Sequence, residues 1–440
     1  MASIAGSLGR VRADLELYLP SKQIEAACSA VGHVWRERVF GPAVTVHLLL
    51  VQVLWSNTAM THLRHLAGHV VAAPAYCKAR MRLPWTALAA LLRESADDVR
   101  VGASELWCGL RAVLVDGSST ITLDTPSCQK AFGQPVGCKK GCGFPVPKVL
   151  ALFDAFTGMI IEMMAFPLYT HEQSKVWMLD LRLGVGDLLV GDRGVCSFAH
   201  LAMLIERGVH GLFRCHQKQI VDFRPNRKAG GKGKPKSRFV KRLGKHDQIV
   251  EWKRPGTKPK WMTADQFAAL PATLLLRELR YVLPCDGRRT LSVTIVTTLL
   301  DPELYPKEKV AALYGVRWTV ETHFAELKTT LKMRKLKSTT PDGVLKELIA
   351  YSLVYNLVHA VMQKAAARQG VTPDRISFID TIRWLLTAAA DAELPDLIVN
   401  PRRPGRHQPR VTKDRQDTYP KMCRPRNLLR KDLKKQAKTA

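Results

Sequence analysis

Near Leu110 the spacing of apolar residues changes from a helical three-and-four pattern to the alternating or continuous pattern of strands, and that change limits the folds open to the chain. RAVLVDGSSTITL is rich in β-branched residues and reads as a strand. KVLALFDAFTGMIIEMMAF reads as two strands joined at Asp154 to Gly158, which supply hairpin turn chemistry. A helical segment, EQSKVWMLDLRL, follows; then come the apolar strand LLVGDRG, a helix SFAHLAMLIERG closed by Gly208, and the strand HGLFRC. The order is three meandering strands, helix, strand, helix, strand. Helical crossovers join parallel strands with right-handed geometry, so this order suits a mixed five-stranded α/β sheet whose first and fourth strands are parallel neighbours.

The flanks have a different character. Upstream, AVTVHLLLVQVLW, AMTHLRHLAGHV and PWTALAALLRE read as helices, the last opened by Pro84. Between the last two, AYCKARMRLP places Lys78, Arg80 and Arg82 where they would touch phosphates. Downstream, RPNRKAGGKGKPKSR is too rich in Gly, Pro and Lys to pack as core. RFVKRL, QIVEWK, LRELRYVL and RTLSVTIVTTLL beyond it read as strands, and VLKELIAYSLVYNLVHAVMQKAAARQG as a long helix. With 440 residues and 46% hydrophobic content there is enough apolar material for several domains. The expected division is a helical DNA-binding domain over 1–108, a core over 109–215, a β-rich insertion with a basic loop over 216–300, the rest of the core with its helices over 301–398, and a basic flexible tail over 399–440.

Charge narrows the class of partner. Sixty-seven Lys and Arg against 38 Asp and Glu leave a net charge of +29, which favours an extended polyanion, with nucleic acid the first candidate and an acidic membrane surface the second. The most apolar run, VTVHLLLVQVLW, is short and interrupted by His47 and Gln52, so neither secretion nor a membrane span is expected and the chain reads as intracellular. The ten cysteines are scattered. Cys128, Cys138 and Cys142 could hold a metal with His171, but their spacing matches no standard zinc pattern, and free thiols are expected.

Asp116 ends the first strand and Asp192 ends the fourth. If those strands are parallel neighbours, both carboxylates emerge at one sheet edge, where function gathers in open α/β sheets. Converging carboxylates repel unless cations neutralise them, and hard oxygen ligands suit Mg²⁺. LYGVRWTVETHFAELKTTLK adds a third acid. At 100° per residue, Tyr314, Arg317, Glu321 and Lys328 fall within an arc of roughly 60°, whereas Glu326 points away. Leu313, Val316, Val320, Phe324, Leu327 and Leu331 form the apolar stripe that docks this helix.

The spacing of Tyr314, Arg317, Glu321 and Lys328, with the blocks DGSSTITLDTPSCQKAFG, LLVGDRG and RWTVETHFAELKTTLK, resembles the signature of the IS4-type DDE transposases. The resemblance spans about Leu110 to Val361, with a vaguer likeness in RERVFGPAVTVHLLLVQVL and ARMRLP. It implies an RNase H-like core interrupted by a β-rich insertion. It further implies Asp116, Asp192 and Glu321 as catalytic ligands of two Mg²⁺ ions, replaceable by Mn²⁺, and Tyr314, Arg317 and Lys328 as the residues that hold the phosphates of the element's end. The implied activity is excision of a bacterial mobile element and joining of its 3′ hydroxyl to target DNA, by a homodimer on paired ends. A metal-dependent nuclease and an inactive DNA-binding descendant are the alternatives. Relatives that cut through a DNA hairpin can place a tryptophan against a flipped base; here LSVTIVTTLL has no aromatic residue, leaving Trp252 and Trp261 for that role.

Overall fold

The computed structural model describes residues 13–439 apart from 37, 67–71, 104–105, 226, 228–234, 284–290, 390 and 402–423. Helices α1 (Ser21–Ala30), α2 (Pro42–Leu54), α3 (Ala73–Arg82) and α4 (Trp85–Ala103) precede the sheet. Pro42 sits in the first turn of α2, where its missing N–H costs no hydrogen bond. The strands are β1 (Arg111–Ser119), β2 (Lys148–Asp154), β3 (Ile160–Phe166), β4 (Asp187–Gly191) and β5 (His210–Arg214), followed by β6 (Arg238–Gly244), β7 (Asp247–Lys253), β8 (Thr273–Leu283) and β9 (Leu291–Thr297). Helix α5 (Phe198–Glu206) crosses between β4 and β5, capped by Ser197, whose side chain accepts from the His200 N–H.

The described strands form one nine-stranded sheet in the order β3-β2-β1-β4-β5-β9-β8-β7-β6. β1, β4 and β5 run parallel, and the other pairings are antiparallel. A five-stranded sheet with a separate β insertion was the expectation from sequence. Instead, β9 pairs with β5 through Leu212–Thr297 and carries β8, β7 and β6 onto the same sheet. The buried Arg277 of β8 braces this extension. It donates to both Asp247 carboxylate oxygens at 2.8 and 2.5 Å, and to the Tyr305 carbonyl at 2.7 Å, just ahead of the next helix.

Strand alternation builds a core on each face. Ala112, Leu114, Leu188 and Val190 face one cluster, while Val113, Val115, Leu189 and Phe213 face the other, which α5 covers. Such strands are apolar on both faces because both are covered. The first cluster is shared by residues of α1, α2 and α4. It also takes in four later helices: α6 (Lys307–Val316), α7 (Thr319–Ala325), α8 (Pro341–Gln369) and α9 (Phe378–Thr387). Of the upstream helices, α2 and α4 pack directly on α8, and α4 also on β3.

Thr340 caps α8 by accepting from the Gly343 N–H, and Gly370 ends it in the left-handed conformation at φ 64°. By length and composition α8 is apolar enough to cross a membrane, yet 89% of its apolar window is buried inside the protein. The segment EQSKVWMLDLRL is not one helix but three short turns, at Glu172–Ser174, Val176–Leu179 and Asp180–Arg182. The basic loop 224–238 lies largely outside the described residues, as does 402–423, but the tail expected to be flexible contains α10 (Arg426–Thr439).

Candidate active site

Val115 of β1 pairs with Gly191 of β4 in parallel register, so Asp116 lies beside Asp192. Asp192 follows the end of β4, but Asp116 does not end β1 as its glycine neighbour suggested, because pairing with β2 carries the strand on to Ser119. By alternation Asp116 and Ser118 share the face of Ala112 and Leu114, the side on which α7 packs against β1. Each aspartate is held by a nearby backbone N–H: within β1, Asp116 Oδ1 accepts from the Gly117 N–H at 2.7 Å, and in the turn after β4, Asp192 Oδ1 accepts from the Gly194 N–H at 2.6 Å. Burial pushes the Asp116 carboxyl up to about 6; the Gly117 N–H and Arg317 oppose the rise, while the charges of Asp192 and Glu172 add to it. A carboxylate still disfavoured beside an arginine is short of positive charge. A hard cation between Asp116 and Asp192 would supply it, so the donor set fits Mg²⁺.

Residues 307–330 are helical without forming one regular helix. At the junction of α6 and α7 the bonds tighten to a three-residue span, Val320 N–H to the Arg317 carbonyl and Glu321 N–H to the Trp318 carbonyl, each at 3.2 Å. From Glu326 to Thr330 the chain loosens into a π-helical turn, with the Leu331 N–H reaching the Glu326 carbonyl at 2.9 Å. The even 100° spacing that puts four polar residues in one arc is therefore broken on both sides of Glu321.

Their surroundings differ accordingly. Arg317 is buried, its Nη1 3.6 Å from Asp116 Oδ2 and its guanidinium over the rings of Tyr314 at 5.7 Å and Trp318 at 4.9 Å. Tyr314 is only 2% exposed, so its hydroxyl is not open to a phosphate as the sequence spacing suggested, and its ring lies against Arg317 instead. Lys328 donates to the Ser118 hydroxyl at 3.0 Å, two residues past Asp116 on the same strand. Burial lowers the Lys328 ammonium's pKa, and the nearby Arg334 adds to that. Glu321 is exposed on α7 between the buried Val320 and Phe324 anchors. Asp116, Asp192 and Glu321 are not gathered around one point. Among the described residues, the three that bring ligand atoms within 4.8 Å of one another are His323, Glu326 and His359.

Sequence reasoning overlooked Glu172. A Cβ on Gly117 would stand 2.8 Å from Glu172 Cδ, so the glycine leaves room for this carboxylate beside Asp116. Lys148 lies 3.9 Å from Glu172 Oε1. Nothing in THEQSK marks Glu172 by spacing; only the fold of the short turns after β3 brings it here.

Several other sequence candidates have structural partners. Arg80, expected at phosphates, is buried, donating to Gln52 Oε1 and Ser338 Oγ at 3.2 Å each, with Glu347 at 3.9 Å. Its charge is spent stitching α3 to α8. Lys78 and Arg82 instead line a cleft with His33, Trp35, Arg36 and Arg38. Trp252 is buried and donates to Glu278 Oε1 at 2.9 Å, and Trp261 packs against the second core. Cys128, Cys138 and Cys142 are free.

The sequence matches the family model of the transposase DDE domain over residues 107–357, more than half the chain. It is 26% identical over 334 residues to the transposase InsG of insertion sequence element IS4 from Escherichia coli (strain K12), covering 71% of this chain and 70% of that one. Among solved structures it is similar to a piggyBac transposase in a synaptic complex with hairpin DNA, at 10% identity and a TM-score of 0.42, covering 86% of this chain and 80% of that chain.

Proposed function

The chain belongs to the IS4-type DDE transposases, and from that membership we propose that it cuts DNA at the ends of a mobile element and joins the freed 3′ hydroxyl to a target. The observation that carries this reading is the parallel register that sets Asp116 beside Asp192, with the Asp116 carboxyl pushed up to about 6 by burial and, to a lesser degree, by the neighbouring carboxylates. In this reading Asp116, Asp192 and Glu321 hold two Mg²⁺ ions, with Mn²⁺ able to substitute. Bound there, such ions activate an attacking oxygen and stabilise the leaving oxygen of a phosphodiester.

The protein's own groups divide the remaining work. Asp116 and Asp192 are fixed by the backbone N–H groups of Gly117 and Gly194 that bond their Oδ1 atoms, so their free oxygens keep one orientation. Arg317 stands at the rim of this pair and meets a scissile phosphate, with Tyr314 bracing it from beneath and Trp318 from outside. Lys328 holds a second phosphate from the Ser118 side. Glu321 approaches from α7.

By the same reading, β1 to β5 with their helices form an RNase H-like core split at 109–215 and 301–398, 216–300 is the insertion, 1–108 binds DNA, and 399–440 is a basic tail. The protein works as a homodimer on paired double-stranded ends, inside the bacterial cell at the nucleoid and not at a membrane.

The test is a strand-transfer assay with purified protein, Mg²⁺ and DNA carrying the inverted repeats that flank its reading frame. Joined products support transposition, and cleavage without joining indicates a nuclease. Binding alone marks an inactive descendant. Asp116→Ala, Asp192→Ala and Glu321→Ala should each abolish cleavage while retaining end binding; cleavage surviving in any of them removes that residue from the mechanism.

A further inference from the structure

His359 donates from Nδ1 to the Thr157 carbonyl at 3.0 Å, because a carbonyl only accepts. In the neutral ring the other nitrogen, Nε2, is then a bare lone pair. It is buried and, among the described residues, has no hydrogen-bond partner. The nearest charged atom facing it is Glu326 Oε2, at 3.7 Å, beyond hydrogen-bond reach. Two electron-pair donors therefore face each other across a gap inside the protein.

The same carboxylate oxygen lies 3.7 Å from His323 Nδ1, and all three ligand atoms fall within 4.8 Å of one another. Around a tetrahedral Zn²⁺ with bonds of ~2.0–2.1 Å, ligand atoms stand about 3.4 Å apart. Each histidine nitrogen is a few tenths of an ångström from that spacing to Glu326, and the two nitrogens, at most 4.8 Å apart, close on each other as the ion binds, with a water as fourth ligand. Its surroundings are built for these rings. Gly158 has no side chain where a Cβ would meet His359 Cε1 at 2.7 Å and His323 Cε1 at 3.0 Å, and Phe153 stacks on His323 at 5.2 Å. The Tyr355 hydroxyl lies 2.8 Å from His323 Nδ1 and 3.1 Å from Glu326 Oε2; an ion on those atoms takes the Nδ1 lone pair, leaving the hydroxyl to donate to the second lone pair of Glu326 Oε2 and orient that ligand. Two imidazoles and one carboxylate form a donor set for a borderline divalent transition metal, not for Mg²⁺.

We propose that His323, Glu326 and His359 bind one Zn²⁺-type ion that pins α7 and the π-helical turn to α8 and the β2–β3 turn. The ion would be structural and distinct from those at Asp116 and Asp192. By clamping Glu326, the first residue of the π-helical turn, it would fix where Glu321 and Lys328 stand on either side. The rival arrangement is a proton in place of the metal, with His359 an imidazolium beside Glu326.

Full-length protein, purified without chelator, should carry close to one equivalent of zinc by elemental analysis. After stripping and reloading with Co²⁺ it should give the visible ligand-field bands of a tetrahedral N/O site, unquenched by excess Mg²⁺. His359→Gln and Glu326→Gln should each weaken Co²⁺ binding by at least ~10–100-fold. An Asp116→Ala/Asp192→Ala double variant should bind Co²⁺ at this site as wild type does, which separates the proposal from the catalytic reading. Wild-type protein that neither retains zinc nor gives a cobalt spectrum overturns it in favour of the proton, whatever the variants do. So does an unchanged spectrum in both single variants.

Discussion

Arg317 Nη1 stands 3.6 Å from Asp116 Oδ2, and together they set the charge at the sheet edge. Arg317 opposes the rise that burial imposes on the Asp116 carboxyl, which still reaches about 6. A metal ligand must be deprotonated to bind, so Mn²⁺ affinity measured by calorimetry should be level above pH 7. Below about 6 it should fall roughly tenfold per pH unit. Arg317→Ala removes the opposing charge and should move the onset of that fall to higher pH. An onset that stays put would mean that Arg317 and Asp116 are not coupled.

The same strain makes a stability prediction. The folded-state carboxyl of Asp116 lies above its ordinary 3.8, so between 3.8 and about 6 the folded protein binds a proton that the unfolded chain does not. Stability from this group therefore rises as pH falls through that window, and above it the ionised group costs at most ~3 kcal/mol. Asp116→Asn should raise the Tm of metal-free protein at pH 7.5, lose that advantage near pH 4, and abolish cleavage. A lower Tm at pH 7.5 would contradict the assignment of strain to Asp116.

Lys328 reaches the Ser118 hydroxyl, two residues past Asp116, from the π-helical turn and, among the described residues, forms no ion pair with a carboxylate. Lys328→Ala should weaken binding to any end sequence about equally and reduce the slope of log K against log salt by about 1. Loss of discrimination between end sequences, with the slope unchanged, would point to a base contact.

What could be read from the chain follows the range of the interactions involved. The strands of the core were legible because alternation and apolar runs are local signals, and the pairing of β1 with β4 followed from crossover handedness. The join between β5 and β9 was not, since Leu212 and Thr297 meet only after 84 intervening residues fold back. Regular helical spacing put Glu326 off the polar arc but could not reveal the π turn or the contact with His359. Glu172 was silent for the same reason: a space left by Gly117 has no signature at position 172.

Asp247 and Arg277 form a buried pair that ties β7 to β8, and Arg277 also holds the Tyr305 carbonyl ahead of α6. Removing one partner leaves an uncompensated buried charge. Asp247→Ala should cost ~3–5 kcal/mol in urea unfolding, and its effect should reach α6 through Tyr305. Replacing the two residues together by apolar ones of similar volume should recover much of the loss. A cost below about 1 kcal/mol for the single variant would mean that water takes the place of Asp247.

Gly191 tests whether the spacing of the two strands matters in its own right. A Cβ there would stand 2.6 Å from Val195 Cγ2, 2.9 Å from Val115 Cγ1 and 3.2 Å from Phe213 Cδ1, so at least one of these side chains must move. Val115 precedes Asp116 and Gly191 precedes Asp192, so the strain falls on the peptide units that carry the aspartates. Gly191→Ala should cost ~1–3 kcal/mol as an overpacked core. It should also slow cleavage by about 10²-fold, since misplacing reacting groups by an ångström has that effect. Pairing it with Val195→Ala, which vacates the tightest contact, should recover stability and cleavage together. Recovery of stability alone would show that the separation of Asp116 and Asp192 tolerates more variation than the strand register suggests.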